Sequence, residues 1–265
     1  MLENSLNANG YAIFTFTNLE NIYKIQEIIK SGFPCVPNEF HKQAIDDETR
    51  LILVKNARDK ILENNLIKNL FLDNSEELIK ILGPDIDIQT DIYLRVSRPN
   101  NENDFIDWHR DTFYGNSYWE MNFWFPIFPL NEGAGLAIIE GSHLTPSTNI
   151  HSIEDKNSFR NKVVKGSLAN ELGYTYAPKS DDTISQCKPS QIKLIIPQLG
   201  QGVIFFAYAA HRAVNNSINT RISCDLRIKS MNAPTNTRAG YYQPLRRGAI
   251  TTCVEKMMAM NKETA

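Results

Sequence analysis

The stretch Gly200-Gln-Gly-Val-Ile-Phe-Phe-Ala-Tyr-Ala-Ala-His211 contains a glycine turn and a run of apolar β-formers, and it ends at a histidine. This composition predicts a buried strand at Val203–Ala207. Further short runs rich in β-branched and aromatic residues, separated by Pro, Gly and Asn, are Ile86–Val96, Glu120–Pro126, Gly135–Ile139, Ile192–Ile196 and Ile222–Ile228. Many short strands with turn signals between them predict a β-sandwich or barrel.

The N-terminal third has a different character. Gly10–Phe16 alternates and predicts one strand, and three segments with helical spacing follow it: Leu19–Ser31, ended by Gly32, then Asp47–Leu72, then Ser75–Leu82, ended by Gly83-Pro84. We therefore expect an α+β fold. N-terminal helices would flank a double-stranded β-helix, the jelly-roll or cupin-like barrel.

Length and composition favour one domain, since 265 residues with 42% hydrophobic content can bury a substantial core. We predict a helical part over 1–84, a barrel core over 85–232 and a C-terminal extension over 233–265. A polar insertion at about 144–190 is either a functional loop or a solvated surface segment. The extension could cap the barrel mouth, form a homodimer contact or simply trail off.

The charge pattern excludes several classes of partner. The net charge is −2 without long blocks of one sign, so we expect neither nucleic acid nor a membrane surface as a partner. The apolar runs are too short to span a bilayer, and the N-terminus lacks the pattern of a secretory signal. Four scattered cysteines without a CxxC pair predict reduced thiols and a cytoplasmic location.

A possible metal site lies in His109-Arg110-Asp111, followed 100 residues beyond the aspartate by His211. In an extended chain residues i and i+2 face the same side, so His109 and Asp111 could reach one ion while Arg110 points elsewhere. An HxD pattern alone is common by chance. Together with His211 it gives the 2-His-1-carboxylate facial triad, the usual ligand set of non-haem Fe(II) oxygenases.

Two polar residues stand ten and twelve positions past His211. We expect Arg221 on the next strand of an antiparallel pair, where its planar guanidinium could bind a carboxylate with two parallel hydrogen bonds. Ser223 would share the same strand face and donate to that carboxylate. The alternative for Arg221 is a structural ion pair, for instance with Asp225.

These motifs, in this order, resemble the phytanoyl-CoA dioxygenase-like branch of the Fe(II)/2-oxoglutarate-dependent oxygenases, over roughly residues 10 to 230. The segments that carry the resemblance are Trp108-His-Arg-Asp-Thr-Phe-Tyr-Gly115, Asn122-Phe-Trp-Phe-Pro126, Gly133-Ala-Gly-Leu-Ala-Ile-Ile-Glu-Gly-Ser-His143 and His211 through Arg227. One departure lies in the last turn of the third segment, where Glu140 replaces the family's proline. The resemblance makes His143 a structural residue rather than a ligand.

The resemblance implies that His109, Asp111 and His211 hold Fe(II). It also implies that Arg221 anchors the co-substrate 2-oxoglutarate, with Ser223 assisting and Trp124 flanking it. The implied reaction hydroxylates an unactivated C–H bond while 2-oxoglutarate and O2 become succinate and CO2. Related halogenases have a small residue in place of the aspartate, so Asp111 argues against halogenation.

Arginines and aromatic residues near the motifs favour a polar or anionic small-molecule substrate. The candidate substrate residues are Arg95, Arg110, Tyr114, Trp119 and Arg227. Two other functions are compatible with the same residues. A zinc or manganese hydrolase could use the same three ligands, and a jelly-roll module could bind metal without catalysis.

Overall fold

The computed structural model describes residues 2–114, 116–145, 150–152, 179–235, 237 and 239–263. The helices in this part of the chain are α1 (Leu2–Asn9), α2 (Glu20–Gly32), α3 (Asp47–Glu63), α4 (Leu66–Asp73), α5 (Ser75–Leu82), α6 (Asp182–Ser185) and α7 (Ala249–Glu263). Short 3-10 helices lie at Pro37–Lys42, Glu102–Asp104, Asp111–Tyr114, Ser142–Leu144 and Pro189–Gln191.

Twelve strands are seen in the same residues: β1 (Tyr11–Thr15), β2 (Ile86–Gln89), β3 (Tyr93–Ser97), β4 (Met121–Pro126), β5 (Ala134–Ile139), β6 (Ile150–Ser152), β7 (Lys179–Asp181), β8 (Ile192–Ile195), β9 (Gln201–Phe206), β10 (His211–Asn215), β11 (Arg221–Ser230) and β12 (Tyr242–Arg246). Seven of them form a large antiparallel sheet in the order β1-β9-β4-β11-β2-β12, and β3 pairs with β11. A smaller sheet has the order β10-β5-β8, and β6 pairs with β7.

The large and small sheets pack face to face. The apolar cluster between them takes side chains from both sheets, namely Trp124, Val203, Phe205, Leu136, Ile138 and Ile195. Residues two apart on a strand share a face, so the same alternation that buries Trp124 also directs its polar neighbours inward. This mixed helical and antiparallel architecture is consistent with a jelly roll, and it confirms the predicted α+β class.

The helices cover the opposite face of the large sheet. In α2, Ile22, Ile25 and Ile29 follow helical spacing and are completely buried. Against this layer the sheet presents phenylalanines, and Phe71 of α4 meets Phe123 of β4 edge-to-face at a ring-centroid distance of 4.7 Å. The main hydrophobic core therefore lies between the helices and the sheet. This leaves the space between the two sheets for polar groups.

The predicted helix over Asp47–Leu72 is wrong in one respect, because the segment forms two helices. Asn65 adopts a left-handed conformation with φ of 53°, which ends the first helix and begins the second. Asn is one of the few residues that enter this region readily, since its short polar side chain can bond locally. The helical period continues on both sides of Asn65, so the apolar pattern did not reveal the break.

The predicted run Ile86–Val96 is likewise two strands, β2 and β3, and both pair with β11. The chain leaves the sheet at Thr90, whose hydroxyl donates to the carbonyls of Gly240 and Tyr241 at 2.9 and 3.1 Å. The sequence patterns also did not predict α1, β10, β12 or α7. Residues 146–149 and 153–178 of the predicted insertion lie outside the described residues.

The C-terminal extension adds an edge strand and a helix. β12 pairs with β2 at the edge of the large sheet, and the start of α7 is anchored by Asp85, which accepts from Gly248 N–H and Thr251 Oγ1 at 2.8 and 2.9 Å. Within the described residues, no helix combines the length and the apolar character needed to cross a bilayer.

Candidate metal centre

Three side chains predicted from sequence converge between the two sheets. The ligand atoms of His109, Asp111 and His211 all lie within 4.8 Å of one another, and all three residues are buried. Asp111 Oδ1 is 3.5 Å from Nε2 of His109 and 3.7 Å from Nε2 of His211. Two imidazole nitrogens and one carboxylate oxygen at this separation form a donor set that suits a divalent transition metal.

Backbone hydrogen bonds hold these residues together. The N–H of His109 donates to the carbonyl of His211 at 3.1 Å, and the N–H of His211 donates back at 2.9 Å. The N–H of Asp111 donates to the carbonyl of Ala207 at 2.9 Å. His211 begins β10 rather than ending the preceding strand, so the turn at residues 207–210 fixes its position.

Each histidine uses its other ring nitrogen to bond a backbone carbonyl. Nδ1 of His109 lies 2.7 Å from the oxygen of Asp107, and Nδ1 of His211 lies 3.0 Å from the oxygen of Ala209. A carbonyl can only accept, so Nδ1 carries the proton and Nε2 keeps its lone pair. Burial and the neighbouring His109 also lower the pKa of His211 to about 3, which keeps its ring neutral.

Asp111 is held in its charged form. Burial opposes its ionisation, but the charge of Arg227 keeps the pKa of this carboxyl well below its usual range. Arg227 Nη2 donates to Asp111 Oδ2 at 2.5 Å, leaving Oδ1 facing the two histidines. Asp111 and His211 are therefore in the protonation states that metal binding requires.

Arg221 is buried and spans the two sheets. It begins β11 in the large sheet, and its Nη1 donates to the carbonyls of Gly135 and Val214, each at 3.0 Å, in the small sheet. The prediction that it lies on a strand paired with that of His211 is therefore wrong, because β10 pairs with β5 and β11 belongs to the opposite sheet. The Arg221 side chain instead crosses from the large sheet to the small one.

No carboxylate pairs with Arg221 in the described part of the chain. Asp225, the alternative partner, binds Arg95 through two hydrogen bonds of 2.8 and 2.7 Å. Nε and Nη2 of Arg221 are buried and have no hydrogen-bond partner among these residues. Burial and the nearby Arg95 lower the pKa of Arg221 to about 10, so it stays charged at neutral pH.

Two other buried donors without partners lie on the same strand or against this guanidinium. Ser223 Oγ, two residues along β11, and Trp124 Nε1 lack partners among the described residues. The Arg221 Cζ lies 5.5 Å from the centre of the Trp124 ring. Buried polar groups without partners are rare in native proteins, and donors near a cation fit a bound anion.

A cavity connects the three ligands to Trp124. Its lining residues are Arg95, Ile106, His109, Asp111, Asn122, Trp124, Leu136, Phe205, His211, Ala213, Asp225, Leu226 and Arg227. Arg221 and Ser223 do not form part of this wall, and Arg221 lies against Trp124, which does. The sequence motifs missed Asn122, although strand alternation from Trp124 would have placed it on the same face.

Of the five predicted substrate residues, Arg95 and Arg227 line the cavity. Arg110 does not line it and bonds elsewhere, since its Nε donates to Asp181 at 2.5 Å and its Nη1 donates to the carbonyls of Ser142 and Tyr208 at 2.8 and 2.5 Å. Trp119 is 65% exposed and lies in a separate groove. The side chain of Tyr114 lies outside the described residues.

His143 lies apart from the metal ligands. Its Nε2 lies 2.9 Å from the carbonyl oxygen of Asn7, and its ring stacks on Phe206 at 5.5 Å. These contacts tie the turn at Gly141 to α1. His143 therefore connects structural elements, in agreement with the expectation from its motif.

The fold and the site together define a class: a two-sheet antiparallel sandwich with two histidines and one carboxylate between its sheets. No protein-family model and no curated protein sequence matches this chain. Solved structures do match it. One of them is EvdO2 from Micromonospora carbonacea var. aurantiaca, crystallised with 2-oxoglutarate. The match covers 92% of this chain and 93% of EvdO2, at a TM-score of 0.56 and 12% identity.

A second similar structure is SnoN, a non-haem α-ketoglutarate-dependent epimerase from nogalamycin biosynthesis. The match covers 93% of this chain and 95% of SnoN, at a TM-score of 0.52 and 12% identity. SnoN in complex with Fe3+, α-ketoglutarate and nogalamycin RO matches at 0.51 with 14% identity, covering 94% and 93% of the two chains. At this identity the similarity establishes a shared fold across nearly the whole of each chain.

Proposed function

We propose that this protein is a non-haem Fe(II)/2-oxoglutarate-dependent dioxygenase of the phytanoyl-CoA dioxygenase-like type, built on a double-stranded β-helix over residues 85–232. The proposal rests on two features of the space between the two sheets. A buried His-Asp-His cluster with ligand atoms within 4.8 Å lies near a buried arginine that has no carboxylate partner among the described residues. The first feature fits iron, and the second fits the distal carboxylate of a dicarboxylic co-substrate.

The residues have separate tasks in this proposal. His109, Asp111 and His211 hold Fe(II) on one face, and the carbonyls of Asp107 and Ala209 orient the two rings. With iron and 2-oxoglutarate bound, such a centre oxidises a C–H bond of the substrate while 2-oxoglutarate and O2 become succinate and CO2.

Co-substrate binding falls to the second group of residues. Arg221 would bind the distal carboxylate through its two free N–H groups, with Ser223 and Trp124 beside it. The apolar lining residues Leu136, Phe205 and Ile106 exclude water from the space between this group and the metal ligands.

For the substrate we propose a polar or anionic small molecule that is hydroxylated. Arg95 and Arg227 support this class because both line the cavity, whereas Arg110 and Trp119 are not retained as substrate residues. Tyr114 stays a candidate from sequence. The intact carboxylate of Asp111 favours hydroxylation over halogenation. The four free cysteines support a cytoplasmic location.

The test is succinate release from 2-oxoglutarate in air with added Fe(II). Wild-type protein is expected to form succinate, and His109→Ala is expected to form none above background because one ligand is lost. His41→Ala is a matched control, since His41 bonds Thr220 at 3.0 Å and lies outside the ligand cluster. Absence of succinate from the wild type, or equal rates in wild type and His109→Ala, would contradict the proposal.

A further inference from the structure

The two oxygens of the Asp111 carboxylate have different partners. Oδ1 faces Nε2 of both histidines at 3.5 and 3.7 Å, whereas Oδ2 accepts the Nη2 hydrogen of Arg227 at 2.5 Å. The side chains of Arg227 and Asp111 are only 7% and 5% exposed. A buried, charge-assisted hydrogen bond of this length is a strong orienting contact, so the carboxylate is fixed in one rotation.

Arg227 is itself held in place from several sides. β11 pairs it with Asn122 of β4, and its backbone N–H donates to Gln89 Oε1 at 3.0 Å. Its guanidinium lies 5.2 Å from the centre of the Tyr93 ring, within cation–π range. Asp225, two residues earlier on the same strand, is engaged in two hydrogen bonds with Arg95. Glu120 also feels the charge of Arg227, but the hydrogen bond described above is to Asp111.

We infer that Arg227 is a positioning residue that keeps Asp111 a one-oxygen metal ligand, and thereby keeps one metal position free beside the chelating co-substrate. This inference rests on the proposed function. An octahedral ion held by three protein atoms has three positions left, and a chelating keto acid needs two of them. A carboxylate free to bind through both oxygens would occupy a fourth position, so the chelate would fill the last two and leave none for O2. Arg227 prevents this by occupying Oδ2.

Removal of Arg227 should change how the metal is bound. Oδ2 of Asp111 then loses its hydrogen-bond donor and is free to bind the ion beside Oδ1. The coordination number and geometry of the ion change as a result, both before and after the chelate binds. Loss of fold would instead abolish metal binding.

The experiment compares wild type with Arg227→Met, which keeps the alkyl length but has no hydrogen-bond donor. Co(II) is titrated first, then 2-oxoglutarate is titrated into the Co(II)-loaded protein, followed by absorption. We expect the visible Co(II) bands of Arg227→Met to differ in position and intensity from those of the wild type, both before and after 2-oxoglutarate is added, because these bands depend on coordination number and geometry. Arg58→Met, at a partly exposed arginine paired with Asp59, is the matched control and is expected to match the wild type.

Identical Co(II) spectra of wild type and Arg227→Met would overturn the inference. Arg227→Lys covers the case in which the methionine variant does not fold and binds no Co(II). It retains a charged donor without the planar fork, and we expect a smaller change of the Co(II) spectrum than in the methionine variant. A lysine variant that binds Co(II) with the wild-type spectrum would count against the inference.

Failure of the proposed function has a different signature. In that case wild-type protein binds Co(II) but shows no response to 2-oxoglutarate. The Arg227 inference is then tested by the Co(II) spectrum alone, because the intensity of its visible bands depends on coordination number and geometry. Different spectra for wild type and Arg227→Met support the change in Asp111 binding, and identical spectra contradict it.

Discussion

Buried arginines are the residue-scale feature that separates this interior from an ordinary apolar core. Arg95 pairs with Asp225, and Arg227 pairs with Asp111, so those charges are matched within the protein. Arg221 has no carboxylate partner in the described residues, although it is only 2% exposed. A buried charge without a counter-ion is costly, so an anionic ligand gains affinity from meeting Arg221 there.

Replacing this arginine should affect the co-substrate and spare the metal. For Arg221→Met we expect 2-oxoglutarate affinity to fall by about 1.5–3 kcal/mol, the worth of hydrogen bonds to a charged group, which is a factor of about 10 to 100. Fe(II) affinity should stay the same, because Arg221 bonds the carbonyls of Gly135 and Val214 and no metal ligand. Anaerobic titration of the Fe(II)-loaded variants measures both constants.

The control for this prediction is Arg58→Met, which removes a partly exposed arginine outside the site. A 2-oxoglutarate affinity in Arg221→Met equal to that of the control would show that Arg221 is not the anchor.

Glu120 gives a pH-dependent prediction. Its side chain is completely buried, and burial raises its pKa despite the opposing charge of Arg227. Because the folded-state pKa exceeds the unfolded one, the associated stability is present below the unfolded pKa and is lost as pH rises through the folded pKa. Glutamine does not ionise, so the Glu120→Gln variant does not lose this stability as pH rises. The Tm of wild type minus that of Glu120→Gln should therefore decrease between about pH 4 and pH 7.

Thermal unfolding followed by circular dichroism at both pH values measures this difference. A Tm difference that stays constant or grows with pH would show that the fold does not raise the pKa of Glu120.

At the scale of elements, the strand patterns predicted most strands of the two main sheets. They did not predict the strand that begins at His211. β4, β5, β8, β9 and β11 lie where short β-branched and aromatic runs predicted them. β10 is the polar sequence His-Arg-Ala-Val-Asn and has no apolar alternation to reveal it. His211 was therefore expected at the end of one strand, whereas it starts another. The sheet to which a strand belongs also depends on long-range pairing, which local pattern does not contain.

Gly135 on β5 links the fold to the site. A Cβ there would lie 2.2 Å from the carbonyl oxygen of Ile195 in β8, and the Gly135 carbonyl accepts from Arg221. Gly135→Ala must therefore push the two strands apart. We expect it to destabilise the protein by about 1–3 kcal/mol, as overpacking does, and to weaken 2-oxoglutarate binding because the Arg221 contact shifts.

Gly32→Ala is the matched control, because no atom lies within 4 Å of a Cβ at that position. Chemical denaturation gives the free energy of unfolding of both variants. Equal stability of Gly135→Ala and Gly32→Ala would contradict the close packing of β5 on β8.

For the whole molecule, the site lies where the two sheets and the connections between them meet. His109 and Asp111 lie on the chain before β4, His211 begins β10 in the small sheet, and Arg221 begins β11 in the large sheet. Spacing in the sequence was enough to predict these four residues as site residues, because each lies in a recognisable motif. It could not show that Arg227 bonds Asp111, or that Asp225 bonds Arg95, because such contacts depend on side-chain rotamers and cross-strand register.

The central claim is that one interior holds Fe(II) and 2-oxoglutarate together, and anaerobic absorption spectroscopy tests it most directly. Wild-type protein given Fe(II) and then 2-oxoglutarate without oxygen should develop a weak visible charge-transfer band that saturates with one equivalent of each. His211→Ala should lose the band, because Nε2 of His211 is one of the three ligand atoms. No band in the wild type, or an undiminished band in His211→Ala, would contradict the account.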